Sequence, residues 1–123
     1  MKNKKNEPEI PIIFHHAPKG PTREYRMEQL NEILQKICQK INKRNPVERA
    51  ELTIEEAKNA VGKVANYGVR LHILLWSGEA YIASSDSFVA RTQHLGLEKN
   101  VRNAAKEIIK QMEKHQAKML GHN

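Results

Sequence analysis

The sequence predicts an α+β fold, a small antiparallel β-hairpin or sheet packed against two long amphipathic helices and shorter helices. Three observations predict it. Two stretches carry apolar residues at alternating three- and four-residue spacing for about 20 residues each, which is a helical stripe. Between them, Val69 to Trp76 alternates with a period of two and is followed by a turn and a second short alternating run. At 123 residues the chain has room for one modest core.

Residues 1–21 are expected to form a basic N-terminal arm with a short extended segment, ahead of a single domain over 22–123. Pro8, Pro11, Pro18 and Pro21 forbid a regular helix in the arm. Ile10, Ile12 and Phe14 alternate, so this piece is expected to pair with a sheet edge or lie across the core, with a docking peptide as the alternative.

The first long helix is expected from about Arg23 to Arg44, with Thr22 as N-cap and Pro46 soon after its end. Met27, Leu30, Leu34, Ile37 and Ile41 form its stripe, widened by Ile33 and Cys38. Acidic Glu24, Glu28 and Glu32 precede basic Lys36, Lys40, Lys43 and Arg44, an order that suits the helix dipole.

A second helix is expected from Thr53. Thr53 and Glu56 have capping-box spacing, Ala57, Ala60, Val61 and Val64 make a small-residue face, and Gly68 is placed as a C-cap. The strand Val69–Trp76 follows. With Ser77-Gly78 as a two-residue turn, Leu75 would face Ala80, Ile73 would face Ile82, Leu74 would meet Tyr81 and His72 would meet Ala83. Residues 86–95 are ambiguous between a short helix ending at Gly96 and a third strand, with helix favoured. The last helix is expected from about Glu98 to Met119, with Val101, Ala105, Ile108 and Met112 inward and Gly121 as its stop.

Composition narrows function. Lys and Arg number 21 against 14 Asp and Glu, a net charge of +7. The excess lies in the arm and the two outer helices, while 45–96 carries five cations against six acids. Clustering of that kind points to a polyanionic partner. No apolar run nears the ~20 residues that span a bilayer, and the basic start lacks a signal-peptide apolar region. No membrane association and a cytoplasmic location are therefore expected. The single cysteine, Cys38, rules out an internal disulfide and is expected to pack as a small hydrophobe.

One constellation exceeds what helix stability would select. Arg102, Lys106, Lys110, Lys114 and Lys118 are spaced four apart, with Lys99 before them. Like charges at that spacing cost ~0.2–0.5 kcal/mol per pair. A cationic ridge contacting phosphates would justify the cost, although a solvated helix face accounts for the same residues. Arg23 and Arg26 in the stretch KGPTREYR are expected to supplement it, with Tyr25 available to stack on a base.

Other chemistries are not supported by the sequence. The six histidines lack convergent ligand spacing, so no metal or cofactor is expected. Ser84, Ser85, Asp86 and Ser87 with His72 or His94 lack a nucleophile elbow, so no catalytic residues are expected and the chain is read as a non-enzyme. The expected function is a small basic nucleic-acid-binding or regulatory protein contacting phosphates through its terminal helix and arm. The alternative is a protein-interaction module, an adaptor, inhibitor or immunity-type partner with no nucleic-acid role. A twofold homodimer is a further expectation, resting on the width of the first helix's apolar stripe.

Overall fold

A computed structural model of the chain describes residues 9–15, 23–58, 60–61, 64–86 and 93–120. The elements run β1 (Ile12–His15), α1 (Arg23–Asn42), β2 (Val47–Lys58), β3 (Val64–Leu75), β4 (Ala80–Ser85) and α2 (Gln93–Leu120). The strands form one sheet in the order β1-β2-β3-β4, with β1 parallel to β2 and the other pairs antiparallel. The class is α+β, as expected. Only two helices occur among the described residues, so the expected shorter helices are not matched.

Both helices lie on one face of the sheet. That face is built by strand alternation: Ala50, Leu52 and Ile54 on β2 stand opposite Ile73, Leu71 and Val69 on β3. Ile12 and Phe14 of β1 extend the same face, as do Tyr81 and Ala83 of β4. Over it pack Leu30, Leu34, Cys38 and Ile41 of α1 and Leu97, Val101, Ala104, Ala105, Ile108 and Met112 of α2, all buried. Ala104 and Ala105 keep α2 close to the sheet. The amide of Gln35 pins the chain ahead of β1, donating to the Ile10 carbonyl at 2.7 Å and accepting from the Ile10 N–H at 3.0 Å.

The expected helix from Thr53 is instead the end of β2, a loop and the start of β3. The inward residues Ala50, Leu52 and Ile54 set a period of two that runs through the capping-box signal, and pairing continues beyond it to Ala57 opposite Asn66. Cross-strand burial here outweighs a local helix signal. Gly68 is a strand residue, not a helix cap. A Cβ there would stand 3.1 Å from the Cβ of Asp86, so glycine permits the close approach of the chain leaving β4.

The β3–β4 register also differs from the expectation by one residue. The Gly78 N–H donates to the Leu75 carbonyl at 2.9 Å, the Leu75 N–H donates to the Glu79 carbonyl at 2.9 Å, and Gly78 has φ of 100°. This is a three-residue turn with glycine in the left-handed position. The added residue turns β4 over. Ile73 pairs with Tyr81, Leu71 with Ala83 and His72 with Ile82, so Ile82 is 50% exposed while Ala83 is buried.

For the ambiguous stretch, 87–92 lie outside the described residues. From Gln93 onward the chain is already α2, and Gly96 is inside that helix rather than at the end of a separate one.

Candidate nucleic-acid interface

The two layers differ sharply in charge. Among described side chains, the helix layer (27–45 and 97–118) carries ten Lys and Arg against five Glu. The sheet (47–55 and 68–86) carries two Arg against five acids. The two sheet arginines are both neutralised in place. Arg49 bonds Glu48 and Glu51, each at 2.9 Å, and Arg70 reaches Glu55 at 3.3 Å. Among the described residues none of the ten helix-layer cations joins an ion pair.

Lys99, Arg102, Lys106, Lys110, Lys114 and Lys118 are all exposed on α2. They do not form a straight row. Each four-residue step advances ~40° around a helix of 3.6 residues per turn, so the series winds diagonally across the solvent face. Arg102 borders the groove between the helices, where it shares a recess of about 270 Å³ with Lys36, Glu32 and Glu98. Lys106 stands beside it. Lys114 and Lys118 lie progressively further round, toward the flank where Gln111 donates to the Ile82 carbonyl and His115 meets Glu79. Arg23 and Arg26 are on the backbone of α1, but their side chains, like that of Tyr25, lie outside the described residues.

Sequence reasoning missed the cations of α1. Lys36, Lys40, Lys43 and Arg44 are exposed on the helix layer beside α2, and their order along α1 had a sufficient explanation in the helix dipole. The charge count along the sequence already shows both outer segments to be basic; what it cannot show is that they share one face of the sheet.

A larger groove of about 490 Å³ opens where the end of α1 passes α2. Its floor is Ile41, Ile109 and Met112, and its rim carries Lys40, Lys43 and Arg44 with Glu113 opposite. The Gln116 amide donates to the Asn45 side-chain oxygen at 3.0 Å, joining α2 to the loop after α1.

The remaining titratable clusters have structural partners. Cys38 is buried, and burial pushes its thiol up to about 12, so it stays a neutral packing group. The Ser85 hydroxyl donates to the fully buried Asn100 at 2.8 Å, tying the end of β4 to α2. Glu51 is held below the usual carboxylate range by hydrogen bonds from Arg49 and then from His15. Among the described residues no three His, Cys, Asp or Glu side chains converge as metal ligands, and no helix is long and apolar enough to cross a membrane.

No protein-family model matches the chain, and no curated protein matches it in sequence.

Proposed function

We propose that the chain is a nucleic-acid-binding protein whose helix layer contacts phosphates. The observation that supports the reading is the segregation of charge: among the described side chains, ten cations without ionic partners in the helix layer, against a sheet whose two arginines are already paired. Each free Lys or Arg that meets a phosphate releases condensed counterions, so binding would weaken steeply with salt. The contact surface joins Arg102, Lys106 and Lys110 of α2 to Lys36 and Lys40 of α1 and to Lys43 and Arg44 of the turn after it. Lys114 and Lys118 extend it along the far flank. Contacts of this kind fix orientation on the backbone and carry no sequence information of their own.

The test is fluorescence anisotropy with DNA and RNA duplexes across a salt series, using the parent and a Lys106→Gln, Lys110→Gln, Lys114→Gln variant. The triple change should lower affinity on every sequence and flatten log affinity against log salt by about 0.9 per lost contact on B-DNA. It should not lower the melting temperature, because it relieves like-charge spacing on an exposed face. A variant that melts and binds like the parent, with the same slope, would reduce the ridge to a solvated surface.

A second reading, a protein-interaction module or twofold dimer, draws on the open face of the sheet. Ile82 is 50% exposed and Ile13 41% on its two edge strands, and Trp76 in the adjoining turn is 69% exposed. The stripe of α1 that first suggested a second copy is in part buried within the chain, through Leu30, Leu34, Cys38 and Ile41. A light-scattering mass that rises from that of a single chain with concentration would favour this reading.

A further inference from the structure

We infer that the groove between the end of α1 and α2 receives one unpaired nucleotide of a bound strand. The inference rests on the nucleic-acid reading above and adds what part of the ligand enters the fold. A nucleotide joins a flat, largely apolar ring to an anion, and the groove offers a counterpart for each. Ile109, backed by the nearly buried Ile41 and Met112, forms an apolar floor, and Lys40, Lys43 and Arg44 stand at the rim opposite Glu113, with no ion pair to them among the described residues. Beside them, the Asn45 and Gln116 amides carry donors and acceptors of the kind that hydrogen-bond base edges. The volume, about 490 Å³, lies within the range of small-ligand sites, ~300–1,000 Å³.

The shape argues against a peptide helix as the occupant. An amphipathic helix needs anchors at i, i+3, i+4 and i+7 along an open trough. Here Ile41 and Met112 are at 7% and 5% exposure, so Ile109 is the main apolar side chain on offer. The Asn45–Gln116 bond joins α2 to the loop after α1 at this groove, and a separate recess between the helices is lined by Glu32, Lys36, Glu98 and Arg102. That leaves a short patch bordered by Lys40, Lys43 and Arg44 with Glu113 opposite, a net positive rim that suits one ring and its phosphate.

The experiment compares a fully paired duplex with the same duplex carrying one unpaired adenosine, made in RNA and in DNA, at one salt concentration. In at least one of the two backbones the parent should bind the bulged form about tenfold more tightly, a difference of about 1.4 kcal/mol. Ile109→Trp, which fills the groove, should abolish that preference while keeping affinity for the paired duplex. The Lys106, Lys110 and Lys114 triple change should weaken both duplexes and preserve their ratio. Methyl NMR on the unaltered protein supplies a readout that needs no variant, since the Ile109 and Met112 signals should move with the bulged duplex and not with the paired one.

Equal binding of paired and bulged duplexes by the parent would overturn the inference and leave phosphate binding standing. So would an Ile109→Trp variant that keeps the preference, or methyl signals that move for an acidic helical peptide and not for the bulged duplex. No binding of any duplex at low salt would overturn both readings together.

Discussion

The three-residue turn at Trp76-Ser77-Gly78 makes a sharp energetic prediction, because it decides which side of β4 meets the core. Ile73 is fully buried and Ile82 is 50% exposed, although they lie on neighbouring paired strands. Cutting either to alanine removes three carbons, a transfer loss of about 2.4 kcal/mol for a fully buried side chain. Ile73→Ala also leaves a cavity between the sheet and the helices, bringing its cost to about 3–4 kcal/mol. Ile82→Ala forfeits only half the transfer term and opens onto solvent, so about 1 kcal/mol is expected. Both changes give up similar strand propensity, which cancels in the comparison. At about 4 °C per kcal/mol for a domain of this size, the melting temperature should fall by about 12–16 °C and 4 °C respectively. Urea titrations of the two variants, with unchanged m-values, would give the same ordering. Under a two-residue turn Ile82 would sit inside against Ile73 and the two losses would match. Equal losses would therefore refute the three-residue turn and the facing of β4 derived from it.

Three further expectations follow from particular contacts. Gln35→Ala removes both hydrogen bonds to Ile10, so amide exchange in β1 should accelerate while β3 stays protected; unchanged exchange at Ile12–His15 would show that the sheet pairing alone holds the strand. Cys38 should resist a thiol reagent in the native protein and react only on unfolding, since its thiol is buried and its titration is pushed up to about 12; rapid native-state labelling would contradict its packing. Glu51 is held below the usual carboxylate range chiefly by Arg49, so its stabilising effect is present at neutral pH and is lost as pH falls through the lowered value. The stability gap between the parent and Glu51→Gln should accordingly narrow toward acid pH in urea titrations, and a gap constant with pH would refute that origin.

The elements legible in the sequence are those whose burial is periodic within one segment. Leu30, Leu34, Cys38 and Ile41 announce α1, Val101, Ala105, Ile108 and Met112 announce α2, and Val69, Leu71, Ile73 and Leu75 announce the second part of β3, each by its own spacing, while residues 64–68 of β3 read as the end of a helix. What stayed hidden depends on partners. The inward set of β2, Ala50, Leu52 and Ile54, is short, and Thr53 with Glu56 supplies a competing helix signal at its edge. Only pairing with β3 along 12 residues settles the contest. The register of β4 turns on whether the loop holds two residues or three, and Ser-Gly is compatible with both. That β1 runs parallel to β2 is a fact about a connection through α1, which no local pattern records.

The candidate site divides in the same way. Exposure of Lys99, Arg102, Lys106, Lys110, Lys114 and Lys118 follows from the stripe opposite them. Their relation to Lys36, Lys40, Lys43 and Arg44 does not, because it requires knowing that α1 and α2 share one face of the sheet. Once that is known, the charge becomes an energetic statement. The helix layer's own Glu28, Glu32, Glu98, Glu107 and Glu113 offset half of its ten cations, while Glu48, Glu51 and Glu55 sit on the sheet and satisfy Arg49, Arg70 and His15. Screening at physiological salt weakens interactions beyond about 8 Å, so acids held in pairs on the sheet do little for the cations on the helices. Among the described residues the helix layer thus keeps an excess of five positive charges, and a polyanion laid across the helices would relieve the repulsion among them. Relief of that sort predicts mutual stabilisation: a bound duplex should raise the melting temperature at low salt, and the increment should shrink as salt replaces the phosphates as counterion.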